Sequence, residues 1–275
     1  MSIHQLNIYG MDMVEVAIKR LQTFEPEEGY FLAFSGGKDS VVVKALADMA
    51  KVKYDAHYAI TSVDPPELVQ FVKTFPDVIR ERQYWKKDGL YHKKGDPITM
   101  WNLIPEKKMP PTRIARYCCA YLKESQGEGR FVVTGVRKAE SARRAKTRGG
   151  LETAEKKSQW RDIYDPDNPT PEMFYHCKVH SRRTLNPIYD WTTEEVWEFI
   201  KEYNVPYCEL YDKGYTRLGC VGCPMSTHNA EELEKYPKFK QAYIRAFQRI
   251  VDNMDGIRNE TWTDGEAVYK WWLQR

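Results

Sequence analysis

Apolar positions in the first half of the chain alternate between helical spacing and short continuous runs. The helical spacing predicts one helix within residues 11–24 and another from about Asp39 onward. The continuous runs predict strands over residues 29–34, 54–60, 78–84 and 131–136. Strands that alternate with helices indicate an α/β fold with a mostly parallel twisted sheet and helices on both faces, in which ligands bind at the carboxyl ends of the strands.

The second half of the chain is less periodic. Residues 147–180 are predicted to form a long loop, and the lysine-rich stretch 86–108 a mobile loop with at most a short helix. The segment Thr192–Glu195 has the pattern of a capping box at the start of a helix, and two more helices follow. We therefore expect an α/β domain over residues 1–190 and a helical region over residues 191–275 packed on it.

The turn between the first strand and the second helix holds the residue types that bind phosphate. Glycines let the backbone approach a ligand closely, and N–H groups at a helix start point toward an anion. Hydroxyl groups add donors, a lysine adds positive charge, and an aspartate can hold a metal ion or cap the helix. An ordinary glycine-rich turn with a capping Asp or Ser is the alternative. The residues are Ser35, Gly36, Gly37, Lys38, Asp39 and Ser40.

Two further positions, Thr61 and Gly135, lie at predicted strand ends and are expected to line the same ligand site. The turn after Gly135 is basic, with six basic residues and one acidic residue in the twelve positions from Arg137. In a helix, Arg137, Ser141 and Arg144 would share one face, which would meet phosphates or another anionic group. A solvated basic helix is the alternative.

Four cysteines are arranged as a set of metal ligands. Cys118 and Cys119 are adjacent on a predicted helix and cannot easily form a relaxed disulfide with each other. Cys220 and Cys223 form a Cys-x-x-Cys turn, which aims two sulfurs at one point. Four thiolates suit a tetrahedral zinc ion or a [4Fe–4S] cluster, and the spacing alone does not choose between them. Four unrelated buried thiols are the third interpretation.

Two other groups of residues are weaker candidates. A cationic group could contact nucleic acid, because phosphate contacts need charge but no sequence code. A cysteine between two histidines could bind a second metal or present an activated thiolate. The first group is Lys178, Arg182 and Arg183, and the second is His176, Cys177 and His180. Cys208 is expected to be a buried apolar thiol.

Composition narrows the class of protein. The formal net charge is +3, so the chain as a whole is not a polycation. No apolar run reaches the roughly eighteen residues of a membrane span, and the first residues lack the basic and then apolar pattern of a secretion signal. Cysteines arranged as metal ligands are typical of a reducing compartment. We therefore expect a cytoplasmic protein with no membrane partner.

Several of these motifs resemble those of one protein family. The Ser35–Ser40 loop resembles the S-G-G-K-D-S loop of the PP-loop ATP pyrophosphatase superfamily, whose members split ATP between the α- and β-phosphates. The Gly135–Arg144 segment, the Asn186–Trp197 run and the four-cysteine pattern resemble those of the phosphoadenylyl-sulfate reductase family and its relatives. The resemblance spans Gly29–Pro224 and implies an adenine nucleotide alpha hydrolase-like fold.

The resemblance also implies cofactors and catalytic roles. It favours a [4Fe–4S] cluster over zinc on the four cysteines, and it implies ATP and Mg²⁺ at the loop. Lys38 and the loop N–H groups would hold the β- and γ-phosphates, with Asp39 beside them. Arg137 and Arg144 would neutralise charge at the α-phosphate.

One departure from the family pattern bears on the reaction. Sulfonucleotide reductases use a cysteine in a C-terminal Glu-Cys-Gly-x-His segment, whereas no cysteine follows Cys223 here and Cys177 is the one plausible substitute. The first hypothesis is therefore an ATP pyrophosphatase or adenylyltransferase that activates an acceptor for sulfur incorporation. It resembles the DndC- and SspD-type enzymes of DNA phosphorothioation. An adenylyl-sulfate or phosphoadenylyl-sulfate reductase is the second hypothesis, and a non-catalytic nucleotide sensor or nucleic-acid-binding regulator is the third.

The first hypothesis implies a set of partners. These are ATP, a nucleic acid as the acceptor, a cysteine desulfurase or another sulfur donor, and a second copy of the chain in a homodimer. In this scheme an acceptor oxygen attacks the nucleotide, pyrophosphate leaves, and sulfur then displaces AMP, with the cluster carrying or relaying the sulfur.

Overall fold

The computed structural model describes residues 2–7, 9–124, 126–140, 149–154, 160–162, 183–253 and 261–274. The helices are α1 (Met13–Thr23), α2 (Lys38–Ala50), α3 (Pro66–Lys73), α4 (Met100–Lys107), α5 (Tyr117–Cys119), α6 (Thr193–Glu202), α7 (Asn229–Lys235), α8 (Pro237–Asp252) and α9 (Gly265–Leu273). The strands are β1 (Tyr30–Ala33), β2 (Tyr54–Ala59), β3 (Val78–Glu81), β4 (Val132–Val133), β5 (Leu151–Ala154), β6 (Trp160–Asp162) and β7 (Arg183–Leu185). None of the helices in these ranges is long and apolar enough to cross a membrane.

The strands form one sheet in the order β3-β2-β1-β4-β7-β5-β6. β1 runs parallel to β2 and to β4, and β4 runs parallel to β7. The predicted mostly parallel sheet is therefore confirmed. β5 and β6 form an antiparallel hairpin inside the stretch 147–180, which was predicted to be a loop. β5 is a strand because Leu151 pairs with Leu185, and a partner so distant in sequence leaves no local periodicity to detect.

Local sequence determines how four of the helices begin. The side chains of Asp12, Thr99, Thr192 and Asp264 each accept a hydrogen bond from a backbone N–H of the first turn. Thr192 does so within the predicted capping box. α2 differs, because its N-cap residue is Gly37, which has no side chain to accept such a bond. The first N–H groups of α2 therefore need an acceptor from outside the helix.

The chain divides into two compact units. The first comprises residues 1–58, 70–79 and 127–218, and the second comprises residues 59–69, 80–126 and 219–275. This division differs from the predicted boundary at residue 190. α6 packs against α2 and so belongs to the first unit, whereas the C-terminal helices α8 and α9 pack with α4 from the middle of the chain. Packing between distant segments sets the division, and sequence order does not reveal it.

Each unit has its own hydrophobic core. In the first unit, α1 packs on α2 above buried strand residues. In the second unit, large aromatic side chains of α8 and α9 fill the space beside α4. The fully buried members include Leu21, Leu32, Val42 and Leu46 in the first unit and Leu103, Phe247 and Trp272 in the second.

The stretch 86–108 was predicted to be a mobile loop with at most a short helix, and it contains one short helix, α4, in the second unit. The N–H of Trp85 donates to the carbonyl of Asp96, and the N–H of Gly95 donates to the carbonyl of Trp85, which closes a hairpin over residues 84–97. The ring of Trp85 stacks on buried His92 with centroids 3.6 Å apart. α4 follows this hairpin. Aromatic stacking and the burial of α4 stabilise a segment whose polar composition suggested a loop.

Candidate functional site

The predicted phosphate loop joins β1 to α2 in the first unit. Gly36 has a φ of 73°, a left-handed conformation that glycine adopts without strain. Gly37 has a φ of −78°, and a Cβ there would lie 3.4 Å from the Ser35 hydroxyl oxygen, an ordinary contact. The turn therefore requires glycine at position 36, whereas at position 37 the protein alone would tolerate a side chain.

The two serines hold the loop in shape. The N–H and the hydroxyl of Ser35 each lie 3.2 Å from the hydroxyl oxygen of Ser40. The Ser40 hydroxyl donates to the carbonyl of Gly37 at 2.9 Å, and the N–H of Gly37 donates to the Ser35 hydroxyl at 3.3 Å. These bonds form the turn without a ligand, which lowers the cost of ordering it on binding.

Lys38, Asp39 and Arg137 form a chain of charges at the start of α2. The Lys38 ammonium lies 3.1 Å from Oδ2 of Asp39, and Nε of Arg137 lies 2.7 Å from Oδ1. Lys38 and Arg137 are only 6% and 1% exposed. Asp39 stands in the first helical turn, where the helix dipole favours a negative charge. The three side chains together carry a net positive charge beside the loop.

The guanidinium of Arg137 is engaged entirely by protein groups. Besides Asp39, it donates to the carbonyl of Trp191 at 3.1 Å and lies 3.5 Å from the hydroxyl of Thr193. This arrangement differs from the predicted contact between Arg137 and the α-phosphate, because a side chain so deeply buried presents no face to a ligand. Arg137 instead holds the carboxylate of Asp39 in position.

Two other residues predicted at the ligand site make different contacts. A Cβ on Gly135 would come within 2.9 Å of the backbone of Asp39, so glycine allows the end of β4 to approach α2 closely. Thr61 belongs to the second unit, where its hydroxyl lies 3.7 Å from the sulfur of Cys220. The N–H of Thr61 donates to the carboxylate of Asp64 at 3.2 Å. Gly135 thus has a packing role, and Thr61 a role beside the cysteines.

Tyr211 is a residue of the loop site that sequence analysis missed. The backbone N–H of Lys38 donates to the hydroxyl oxygen of Tyr211 at 2.9 Å, and the Lys38 ammonium lies 5.9 Å from the centroid of the ring. Burial raises the pKa of Tyr211 by more than the hydrogen bond from the Lys38 N–H lowers it, and the charge of Asp39 also raises it, so the phenol stays protonated. Tyr211 lies 173 residues from Lys38 in the sequence and belongs to no motif, so only the tertiary structure identifies it.

The four predicted metal-ligand cysteines lie in one region of the second unit. Cys118 and Cys119 are on α5, and Cys220 and Cys223 are in a tight turn in which the N–H of Cys223 donates to the carbonyl of Cys220 at 3.2 Å. All four are half-buried free thiols. The pKa of Cys118 is raised by its hydrogen bond with Cys119 and by burial, and the charges of the other three thiols add to this.

Positive side chains stand beside these thiols. Nη2 of Arg116 lies 3.5 Å from the sulfur of Cys119. A hydrogen bond with Cys118, followed by the contact with Arg116, lowers the pKa of Cys119 to about 5, and the same bond and burial raise the pKa of Cys118. The charge of Cys220 is the main cause that raises the pKa of Lys123. Arg116 thus favours the thiolate of Cys119, the form that binds metal, whereas burial raises the pKa of Cys220 despite the charge of Lys123.

Hydrogen bonds to three other segments hold the Cys-x-x-Cys turn in position. The N–H of Val221 donates to the carbonyl of Val63 at 2.8 Å, and the carbonyl of Val221 accepts from the hydroxyl of buried Tyr243 at 3.0 Å. Arg113 donates to the carbonyl of Pro224 at 3.0 Å. This last bond ties the turn to the segment that leads into the adjacent cysteine pair.

The side chains of the cysteine region are of the types that bind a metal ion or an iron–sulfur cluster through thiolates. It offers four sulfur donors together with cations that compensate their charge. Within the described ranges, no three Cys, His, Asp or Glu side chains are already drawn together as the ligands of one metal ion. Binding would therefore close the thiols around the group and release their protons.

Several predicted residues lie outside the described residues. These are Ser141, Arg144, His176, Cys177, Lys178, His180 and Arg182. Cys208 is buried, as predicted. Arg183 starts β7, and its guanidinium lies 4.8 Å from the centroid of the Phe131 ring.

Comparison with known proteins assigns the chain to a family. The phosphoadenosine phosphosulfate reductase domain family matches residues 29–226, which include both the phosphate loop and the four cysteines. The chain belongs to this family.

The relatives of this chain differ in the functions that their names give and in their lengths. An uncharacterized protein of Methanocaldococcus jannaschii is 29% identical over 243 residues, which cover 84% of this chain and 50% of that protein. The chain thus spans about half the length of that relative. An adenosine 5'-phosphosulfate reductase of Staphylococcus haemolyticus is 26% identical over 72% of this chain and 71% of its own length. A crystal structure of phosphoadenylyl-sulfate reductase from Candida auris is 15% identical with a TM-score of 0.48, covering 80% of this chain and 98% of that one.

Because Arg137 is buried and paired, its replacement should destabilise the folded protein. Arg137→Gln should lower the free energy of unfolding by about 2–3 kcal/mol, because Asp39 and the Trp191 carbonyl lose a charged donor. Arg130→Gln is the matched control, since Arg130 pairs with Asp55 in a more exposed position, and it should cost about 1 kcal/mol or less. Urea denaturation measures both changes. Equal losses in the two variants would contradict the positioning role of Arg137.

Proposed function

We propose that this reductase-domain protein cleaves ATP between the α- and β-phosphates and transfers the adenylyl group to an acceptor that then receives sulfur. The phosphate loop is the observation that carries this proposal. Its helix α2 begins with no capping side chain of its own and with Lys38 and Asp39 in the first turn. A helix start of this kind, next to a lysine, suits a polyphosphate.

The reaction needs positioning and charge more than covalent help from the protein. An oxygen of the acceptor attacks the α-phosphorus, the bond from that phosphorus to the oxygen bridging to the β-phosphate breaks, and pyrophosphate leaves with the electron pair. Lys38 and the first N–H groups of α2 would bind the departing pyrophosphate. Arg144 remains the predicted partner of the α-phosphate. Arg137 acts through Asp39, since its guanidinium is buried.

The contacts of Asp39 bear on how Mg²⁺ would be held. Each of its carboxylate oxygens already accepts from a cation, one from Lys38 and the other from Arg137. A carboxylate oxygen has room for a further ligand, so Asp39 suits an outer contact to the ion or its water. Mg²⁺ would be bound chiefly through phosphate oxygens, which is its usual mode in nucleotide enzymes.

The four cysteines would hold a [4Fe–4S] cluster, with zinc as the alternative. Cys118, Cys119, Cys220 and Cys223 would be its ligands, with Arg116 compensating their negative charge. When bound, the cluster would supply a place to hold or relay sulfur. The family match covers all four positions, which supports this proposal.

A basic and mostly exposed segment of the second unit supports a nucleic acid as the acceptor. Residues 80–116 hold ten basic and four acidic residues, and most of the basic ones are exposed. Within this segment, Tyr84 is 57% exposed beside the exposed lysines Lys86 and Lys87. Phosphate backbones bind to exposed cations, and bases stack on exposed aromatic rings. Arg116, at the end of the segment, contacts Cys119.

Sulfonucleotide reduction is the second candidate function, and the names of relatives favour it. Proteins named adenosine 5'-phosphosulfate reductase match this chain, including the one from Staphylococcus haemolyticus. Reduction requires a thiolate that attacks the sulfonate sulfur. Cys177 is the predicted substitute for the cysteine that those reductases carry near their C-terminus.

Replacement of Lys38 tests the loop as the catalytic site. Lys38→Ala should lower ATP turnover by about a hundredfold or more, because the leaving pyrophosphate loses a charge contact. Lys44→Ala is the matched control, since Lys44 is also buried on α2 but pairs with Asp48 and Asp77. The control should lose stability and keep its turnover per folded molecule. Pyrophosphate release measures turnover, and similar rates in both variants would contradict the assignment of Lys38.

Replacement of the cysteines tests the cluster. Protein purified without oxygen should be brown and contain about four irons per chain. Cys220→Ser or Cys223→Ser should remove the colour and the iron, because both sulfurs of one turn are needed. Cys208→Ala should retain both, since Cys208 is buried away from any predicted ligand set. A colourless protein with one tightly bound zinc ion would contradict the cluster and support the zinc alternative.

The deciding experiment compares two products from the same protein. We expect pyrophosphate from ATP, in the presence of nucleic acid, and no thioredoxin-dependent sulfite from adenylyl sulfate or its 3'-phosphorylated form. Cys177→Ser is assayed alongside. Sulfite from the wild type that disappears in this variant would establish the reductase, and the absence of both products, with nucleotide still bound, would favour a sensor.

A further inference from the structure

We propose that the hydroxyl of Tyr211 is a stand-in for a phosphate oxygen, which occupies the loop until a polyphosphate displaces it. This inference rests on the proposed phosphate chemistry and adds a gating residue to the same site. The contact that carries it is the hydrogen bond from the N–H of Lys38 to the Tyr211 hydroxyl at 2.9 Å.

The helix start explains why a stand-in is needed. Four other helices receive a capping bond from their own N-cap side chain, at Asp12, Thr99, Thr192 and Asp264. α2 has Gly37 at this position and no such bond, and α5, α7 and α8 also lack one, but of these four only α2 has a glycine there. A first-turn N–H without an acceptor is costly once it is removed from water. The Tyr211 hydroxyl supplies the acceptor from a distant part of the chain.

The hydroxyl oxygen stands at a position over the turn where a phosphate oxygen would meet the same N–H group. It lies 3.5 Å from where a Cβ of Gly37 would be, so it stands directly over the glycine of the turn. The Lys38 ammonium, which would pair with a phosphate, lies 5.9 Å from the centroid of the same ring. A protonated phenol carries no full negative charge, whereas a phosphate does, so a phosphate should compete effectively for these donors.

The anchoring of Tyr211 permits its ring to leave without unfolding the segment. The neighbouring residues Cys208 and Leu210 are fully buried and hold the turn in place, whereas Tyr211 itself is only partly buried. Its ring packs edge-on against Trp197 with centroids 5.1 Å apart, and Tyr207 packs on the same indole. A rotation of the Tyr211 side chain would therefore change the surroundings of Trp197 and leave the backbone anchored.

Tyr211→Phe tests the stand-in, because it removes the hydroxyl and keeps the ring. In the free protein the amide of Lys38 should exchange its hydrogen faster in the variant than in the wild type. Inorganic pyrophosphate should bind about two- to tenfold more tightly to the variant, since one hydrogen bond no longer has to be broken. Tyr207→Phe is the matched control and should change neither quantity, because the Tyr207 hydroxyl donates to Asp212 instead of meeting the loop.

The outcomes separate this inference from the proposed function. Pyrophosphate binding that weakens in Tyr211→Phe would show that the hydroxyl donates to the bound phosphate, and unchanged binding would show that it does not occupy the phosphate position. Either result overturns the stand-in and leaves the phosphate site intact. Both proposals would be overturned if the Lys38 amide is protected but neither the wild type nor any variant binds pyrophosphate or a non-hydrolysable ATP analogue. Displacement of the ring would be supported if pyrophosphate changes the tryptophan fluorescence of the wild-type protein and this change is lost in Trp197→Phe.

Discussion

The ion pair between Arg137 and Asp39 is the interaction on which the first unit's site depends. It joins the start of α2 to the turn after β4, and the further bond from Arg137 to the Trp191 carbonyl adds the segment that leads into α6. Because Arg137 is fully buried, an unpaired charge there would be costly, so each partner enforces the position of the other. The absence of a side chain at Gly135 lets these segments approach closely enough to form the pair.

This constraint determines what the loop presents to a ligand. Asp39 forms ion pairs with Arg137 through one carboxylate oxygen and with the ammonium of Lys38 through the other. The lysine therefore has a defined position at the start of α2. Two cations and one carboxylate leave a net positive charge next to helix N–H groups. The serine bonds of the turn form before any ligand arrives, whereas the Tyr211 hydroxyl holds the place that a ligand would take. The turn is therefore ordered by bonds within the protein, which would lower the cost of binding the proposed anion.

The cysteine region of the second unit follows the same electrostatic principle with different groups. Thiolates are negative, and Arg116 and Lys123 supply nearby positive charge. The turn with Cys220 and Cys223 is fixed by main-chain bonds and by the hydroxyl of buried Tyr243. Each unit thus contains one candidate site in which charge of one sign is stabilised by charge of the other.

Features that depend on neighbouring residues could be predicted from the sequence. The apolar run of β1, the glycine turn and the helical spacing of α2 lie within about twenty positions, and the capping box at Thr192 lies within four. Motif spacing was likewise enough to assemble the candidate phosphate loop and the four cysteines. Features that depend on distant residues became known from the folded chain: the β5–β6 hairpin, the division into two units, the burial of Arg137 and the contact of Tyr211 with the loop. Periodicity and turn chemistry are local properties of a chain. Strand pairing and buried ion pairs join residues far apart in sequence, and their partners become known only when the chain has folded.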